Sequence, residues 1–141
     1  RTLQSGQVSA KLVRVYDLES EQAGYQAVVD MDVEGVEFTA IFARNDVTAI
    51  GVYRALRESG RSIPADVSVV SVNDSMIARS LSPALTSVNV HPKVLGYLAF
   101  KTLNERMLGH YDGPPINLSL APTLSIHNST DRLNVVRTTT V

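Results

Sequence analysis

Two asparagine–aspartate pairs each close a short apolar run, the first after an intervening Arg44. Asn45-Asp46 follows residues 39–43 (TAIFA), and Asn73-Asp74 follows residues 67–72 (VSVVSV). An asparagine amide carries both a donor and an acceptor, which matches the hydroxyl pattern of a sugar. The neighbouring carboxylates offer a second chemistry. Asp17, Asp46 and Asp74 each stand after a run that reads as a strand, and a pair of them is suited to acid/base work on a small substrate. The plainer roles weigh more: Asp46 sits where a helix N-cap belongs, and Asp74 can anchor the following turn through its own backbone. Asn45 and Asn73 either grip a ligand or orient their loops.

Other chemistries find no support. There is no cysteine, and His91, His110 and His127 lie far apart without a metal-ligand spacing, so no metal site is assigned. No GxSxG elbow, P-loop lysine motif or GxGxxG loop occurs. No catalytic residue and no cofactor is assigned, and the chain is read as a non-enzyme. Thirteen Lys and Arg against 14 Asp and Glu give a formal charge of −1, so this chain alone is a poor ligand for a phosphate backbone. No run reaches the ~18 apolar residues of a membrane span, and Arg1 is followed by no apolar leader-like segment. The first residue is not Met, which raises the expectation of a piece of a longer protein.

The elements that position these groups follow from pattern. Residues 38–43 and 67–72 are rich in Val, Ile and Phe without clean alternation, as strands buried on both faces of a parallel sheet are. Residues 47–59 between them space Val47, Ile50, Gly51 and Ala55 as a helical stripe, closed by Gly60. A strand–helix–strand unit with a right-handed crossover results, and Asn45 and Asn73 fall at the carboxyl ends of two neighbouring strands, where open α/β sheets bind ligands. Leu18, Val90 and Pro92 stand at neighbouring strand ends and can line such a site.

Upstream, residues 11–15 predict a strand, and Ser20 with Glu21 predicts a capped helix running to Met31. Downstream, residues 75–81 predict a short helix or irregular turn, and residues 85–90 a strand. Pro92 opens a helix to Met107 with an apolar stripe from Val94 and Leu95 to Met107, stopped by Gly109. Residues 117–120 and 123–127 read as short final strands. The expected fold class is a three-layer α/β lobe on a parallel sheet, with last elements belonging partly to a second lobe. The tail after Thr130 has no evident partner. Ile77, Ala78 and Leu81 are more apolar than a short edge segment needs. Either the same lobe covers them, or a partner subunit does, together with the outer side of residues 47–59.

These stretches resemble a known family. FTAIFARNDVTAIG, then PADVSVVSVND, then SPALTSVNVHP, then LAPTLSIHNST is similar to the effector-binding domain of LacI/GalR-type bacterial transcription regulators, over about residues 15–130. The periplasmic sugar-binding proteins share that fold. The resemblance implies that residues 1–141 are an effector-binding fragment, mainly its C-terminal lobe. The N-terminal lobe and helix-turn-helix would lie outside it. It implies a cytoplasmic homodimer that senses a small, sugar-like effector and binds operator DNA through the N-terminal domain, with no membrane contact.

It places Asn45 in the effector pocket. Asn73 stands where the family usually has the first Asp of G-x-D-D, and Ser71 stands for its Gly, so a charge-assisted acceptor is replaced by an amide. Leu18 takes a position that is often aromatic, Val90 and Pro92 line the pocket from the hinge side, and His127 replaces an Arg. Ile50, Arg54, Ile77, Ala78 and Leu81 fall on the implied dimer face. The competing functions are a periplasmic sugar-binding protein feeding a transporter, separated by a leader upstream, and an enzyme acting on a sugar-like substrate, separated by turnover.

Overall fold

The computed structural model describes residues 20–132. The strand expected over residues 11–15, with Asp17 and Leu18 at its end, lies outside the described residues. The element order is α1 (Glu21–Val33), β1 (Ala40–Phe42), α2 (Asp46–Glu58), β2 (Ser68–Val72), α3 (Met76–Ser80), β3 (Thr86–Asn89), α4 (Pro92–Met107) and β4 (Thr123–Ser125). The four strands form one sheet in the order β1-β2-β3-β4. β1, β2 and β3 run parallel, as expected, with Ile41 level with Val69 and Val72 with Val88. β4 runs antiparallel beside β3, so the sheet is mixed. The chain returns to the lobe after α4 from the end at which β3 left it, which reverses the direction of the last strand. Residues 117–120 form no strand.

Local chemistry accounts for the helix ends. The Ser20 hydroxyl accepts the Ala23 N–H at 3.1 Å and caps α1, and Pro92 occupies the first turn of α4. Gly60 adopts φ +76° where α2 stops. One expectation is corrected. The cap of α2 is Asn45, whose Oδ1 accepts the Thr48 N–H at 2.9 Å. Asp46 is the first helical residue, and its carboxylate turns inward.

The core is built on one face of the sheet. Val28 and Met31 of α1, Ala49, Val52 and Leu56 of α2, Val69 of β2 and Leu85 before β3 pack together. α1 and α2 approach closely because two glycines let them. A Cβ on Gly51 would stand 1.8 Å from the Glu21 carbonyl oxygen, and one on Gly24 would stand 2.0 Å from that of Thr48. Arg54 seals the rim of this contact, pairing with Glu21 at 2.5 Å and lying over the Tyr25 ring.

Burial on both strand faces is not what the described residues show. Val69 and Ser71 are buried while Ser68, Val70 and Val72 are half-buried, and Phe42, Leu124 and Ile126 are exposed on the face away from α2. No described helix covers that face.

α4 stands apart from this lobe: none of its residues is buried. Of its predicted stripe, Leu95, Leu103 and Met107 are exposed, and Leu95 and Leu103 with Ile116 and Leu118 wall an apolar groove of about 410 Å³.

Candidate functional site

The site is the carboxyl-terminal edge of β1, β2 and β3. Its foundation is a row of serines. Ser71 of β2 is level with Ser87 of β3, which is level with Ser125 of β4, all on the face toward α2. The Asp46 carboxylate, fully buried, lies over this row. Its Oδ1 accepts from the hydroxyls of Ser71 and of Ser87 (2.9 Å for the latter), and its Oδ2 accepts the Ser75 N–H at 2.7 Å. Ser87 Oγ in turn accepts the Asp74 N–H at 2.9 Å. A buried carboxylate is tolerable only when its oxygens are well supplied with donors, and three strand-end groups supply them here.

Asp74 is the second buried carboxylate, with its side chain 1% exposed. Its Oδ2 accepts from Asn89 Nδ2 at 2.9 Å, Ser125 Oγ at 2.8 Å and the Arg79 guanidinium at 3.3 Å. Its Oδ1 has no hydrogen-bond partner and faces His127 Nε2, likewise unpartnered, at 3.9 Å. Burial pushes the Asp74 carboxyl upward. The bonds from Ser125, Arg79 and Asn89, with the Arg79 charge, outweigh it and hold the group below its ordinary value of 3.8. Both carboxylates tie strand ends together, and Asp74 keeps Oδ1 unpaired beside His127.

The backbone at this edge is held in uncommon geometry. Asn73 has φ +117°, Asp74 +49° and His91 +51°. Asn, Asp and His are the side chains that best tolerate positive φ, and such residues cluster where the surroundings over-determine them. The turn aims Asn73 outward: its N–H still bonds Val88 O at 2.9 Å, while its side chain is exposed.

The two candidate ligand asparagines are brought to one edge. Asn45 stands three residues beyond Phe42 and Asn73 three beyond Val70, and these two residues are level in the β1–β2 pair. Asn45 is nearly buried and uses Oδ1 as the helix cap, so the loop-orienting role is real, and Nδ2 is left without a described protein partner. Val90 is half-buried and Pro92 exposed at the exit from β3, while Leu18 lies outside the described residues. On the proposed dimer face, Ile50, Arg54 and Leu81 line one shallow depression. Ile77 is half-buried. Ala78 is a correction: it is wholly buried in the lobe's own core and has no surface to offer a partner.

Sequence reasoning passed over Ser87, Asn89, His91 and Ser125. A signal was present: the tripeptide Ser-Val-Asn occurs twice, at 71–73 and 87–89, and the two copies lie in register on adjacent strands.

Comparison with known proteins agrees with this fold. The profile of the periplasmic binding protein-like domain matches residues 4–130. The lactose operon repressor of Rhizobium radiobacter is 40% identical over 88 residues, which are 62% of this chain and 78% of that protein. A solved transcriptional regulator CelR–cellobiose complex superposes with a TM-score of 0.74 at 31% identity, over 79% of this chain and 34% of the CelR chain. The lac repressor dimer bound to operator and the anti-inducer ONPF gives a TM-score of 0.71 at 31% identity, over 79% of this chain and 38% of that one. The chain therefore spans little more than a third of the length of the two solved regulators, against 78% of the Rhizobium protein.

The Asp74 environment sets a pH dependence. A carboxyl depressed by folding contributes stability that is present above its unfolded pKa and is lost as pH falls through its folded one. Asp74→Asn is expected to be less stable than the parent at pH 7, with the gap closing as pH drops below 3.8. Denaturant unfolding at stepped pH checks this, and a gap that stays constant to the acid limit contradicts it.

Proposed function

The chain belongs to the periplasmic binding protein-like family of LacI/GalR-type transcription regulators, and from that premise we propose that it is the effector-sensing part of a sugar-responsive, DNA-binding regulator. The observation that carries the reading is the placement of Asn45 and Asn73 just beyond the ends of two adjacent parallel strands, on a base stiffened by two buried carboxylates. Such amides offer donors and acceptors to a polyhydroxylated ring, and Val90 and Pro92 flank them. With Asn in place of Asp at position 73, the effector meets an amide rather than a charge, which selects a different hydroxyl pattern.

The residues described here form the C-terminal lobe, and the exposed stripe of α4 is the face it gives to an N-terminal lobe. An effector that fits one arrangement of the lobes better shifts the population toward it, and the shift is felt at operator DNA through the dimer. The working form is a cytoplasmic homodimer joined through Ile50, Arg54, Ile77 and Leu81. No described helix is long and apolar enough to cross a membrane. The relatives compared above are named as transcription regulators, and the internal bonding of Asp46 and Asp74 leaves little for catalysis.

Two results test this reading. A thermal-shift screen of the full-length protein against cellobiose, lactose and related sugars and sugar phosphates should find a stabilising effector that also changes operator affinity. Asn45→Ala should weaken that effector by about 1–3 kcal/mol in calorimetry, because it strands polar partners. Unchanged affinity removes Asn45 from the site. Leu81→Asp should turn dimers into monomers in sedimentation, because it places an unpaired charge in the interface. Equal sedimentation of a folded variant and its parent contradicts the dimer face.

A further inference from the structure

The hydrogen bonds at the strand ends continue beyond Asp74. Asn89, which donates to Asp74 Oδ2, accepts the His91 N–H on its own Oδ1 at 2.7 Å. His91 Nε2 lies 3.1 Å from Thr123 Oγ1, in hydrogen-bond contact whichever of the two donates. Two residues along β4, Ser125 returns a bond to the same Asp74 Oδ2. The path is a closed ring: Asp74, Asn89, His91, Thr123, the strand to Ser125, and Asp74 again.

This ring encircles the two places where the chain leaves the sheet lobe and comes back. His91 follows β3 and opens α4, and Thr123 begins β4. Everything between them, α4 and residues 108–122, has no buried residue. Two separate passages would each turn about their own backbone dihedrals. Joined by a side-chain bond, they turn together, and two of the ring's members are pinned at positive φ. Asp74 also adjoins Asn73, whose side chain is exposed at the ligand edge.

We propose that Asp74, Asn89, His91 and Thr123 form a clasp that makes the two passages move as one body and ties their position to the edge that carries Asn73. Its regulatory meaning rests on the sensor reading above; its mechanical content does not. Thr123 and His91 act in the clasp as positioning residues. Arg79 bonds the same carboxylate from α3, and His127 faces its other oxygen, so the clasp is anchored in the lobe at Asp74.

Hydrogen–deuterium exchange on the full-length protein tests it. Thr123 is exposed, and Thr123→Val keeps its shape while removing the hydroxyl. Exchange is expected to rise about tenfold at both passages, at the amides of Val90 and His91 as well as at those of residues 123–125, with the thermal midpoint unchanged. Thr123→Ser, which restores the hydroxyl, should restore protection. The reciprocal variant His91→Asn, which tolerates positive φ but cannot reach Thr123, should loosen residues 121–125. A rise confined to the substituted passage, or no rise in either variant, overturns the clasp. A parent protein that none of the screened sugars stabilises contradicts the sensor reading, and the exchange comparison still decides the clasp.

Discussion

The structure depends on one buried carboxylate. Asp46 enters α2 at its first turn and is sealed from water, and its oxygens take two serine hydroxyls and one backbone N–H. An ion so placed costs several kcal/mol unless those donors are present in the right geometry. The requirement reaches well past the helix. Ser71 and Ser87 must face α2 together, which fixes the facing of β2 and β3; a slip of one residue would turn either serine to the far side of the sheet. Ser75 must bring its N–H to the same carboxylate, which fixes where α3 begins.

The functional edge inherits its rigidity from this arrangement. With the chain forced from β2 into Ser75 over a short distance, Asn73 and Asp74 take positive φ, and that turn is what sends the Asn73 side chain outward while Asp74 goes in. The two carboxylates divide the work. Asp46 ties α2 to the parallel strands, and Asp74 ties β2 to β3, β4 and the exits toward α4. Both carboxylates turn into the lobe, and the Asn73 side chain is the amide left exposed at this edge.

Much of this was legible in the sequence because it rests on strong local signals. The strand–helix–strand unit shows in the apolar runs, in the stripe of residues 47–59 and in Gly60; α4 shows in Pro92, its stripe and Gly109. The asparagines at the strand ends follow from that topology alone. Other features were hidden because they are tertiary. Asp46 reads as a cap from its position, and only the third dimension shows that Asn45 takes the cap and frees Asp46 for the serine row. The direction of β4 is set by where the chain re-enters, which no local pattern of residues 123–127 encodes. Ala78 looks like surplus surface in a short apolar segment, yet the lobe's own core covers it. The serine row was written in the repeated Ser-Val-Asn, but a three-residue repeat acquires meaning only when the register sets its copies side by side.

The most direct test of this account is the unfolding free energy of Asp46→Ala. Removing the carboxylate strands two hydroxyls and a backbone N–H in a site closed to water, and a loss of about 3 kcal/mol or more is expected, with faster amide exchange from Asn73 to Ser75. A loss below about 0.5 kcal/mol, the range of an ordinary surface substitution, would show that the strand ends are held by something other than Asp46.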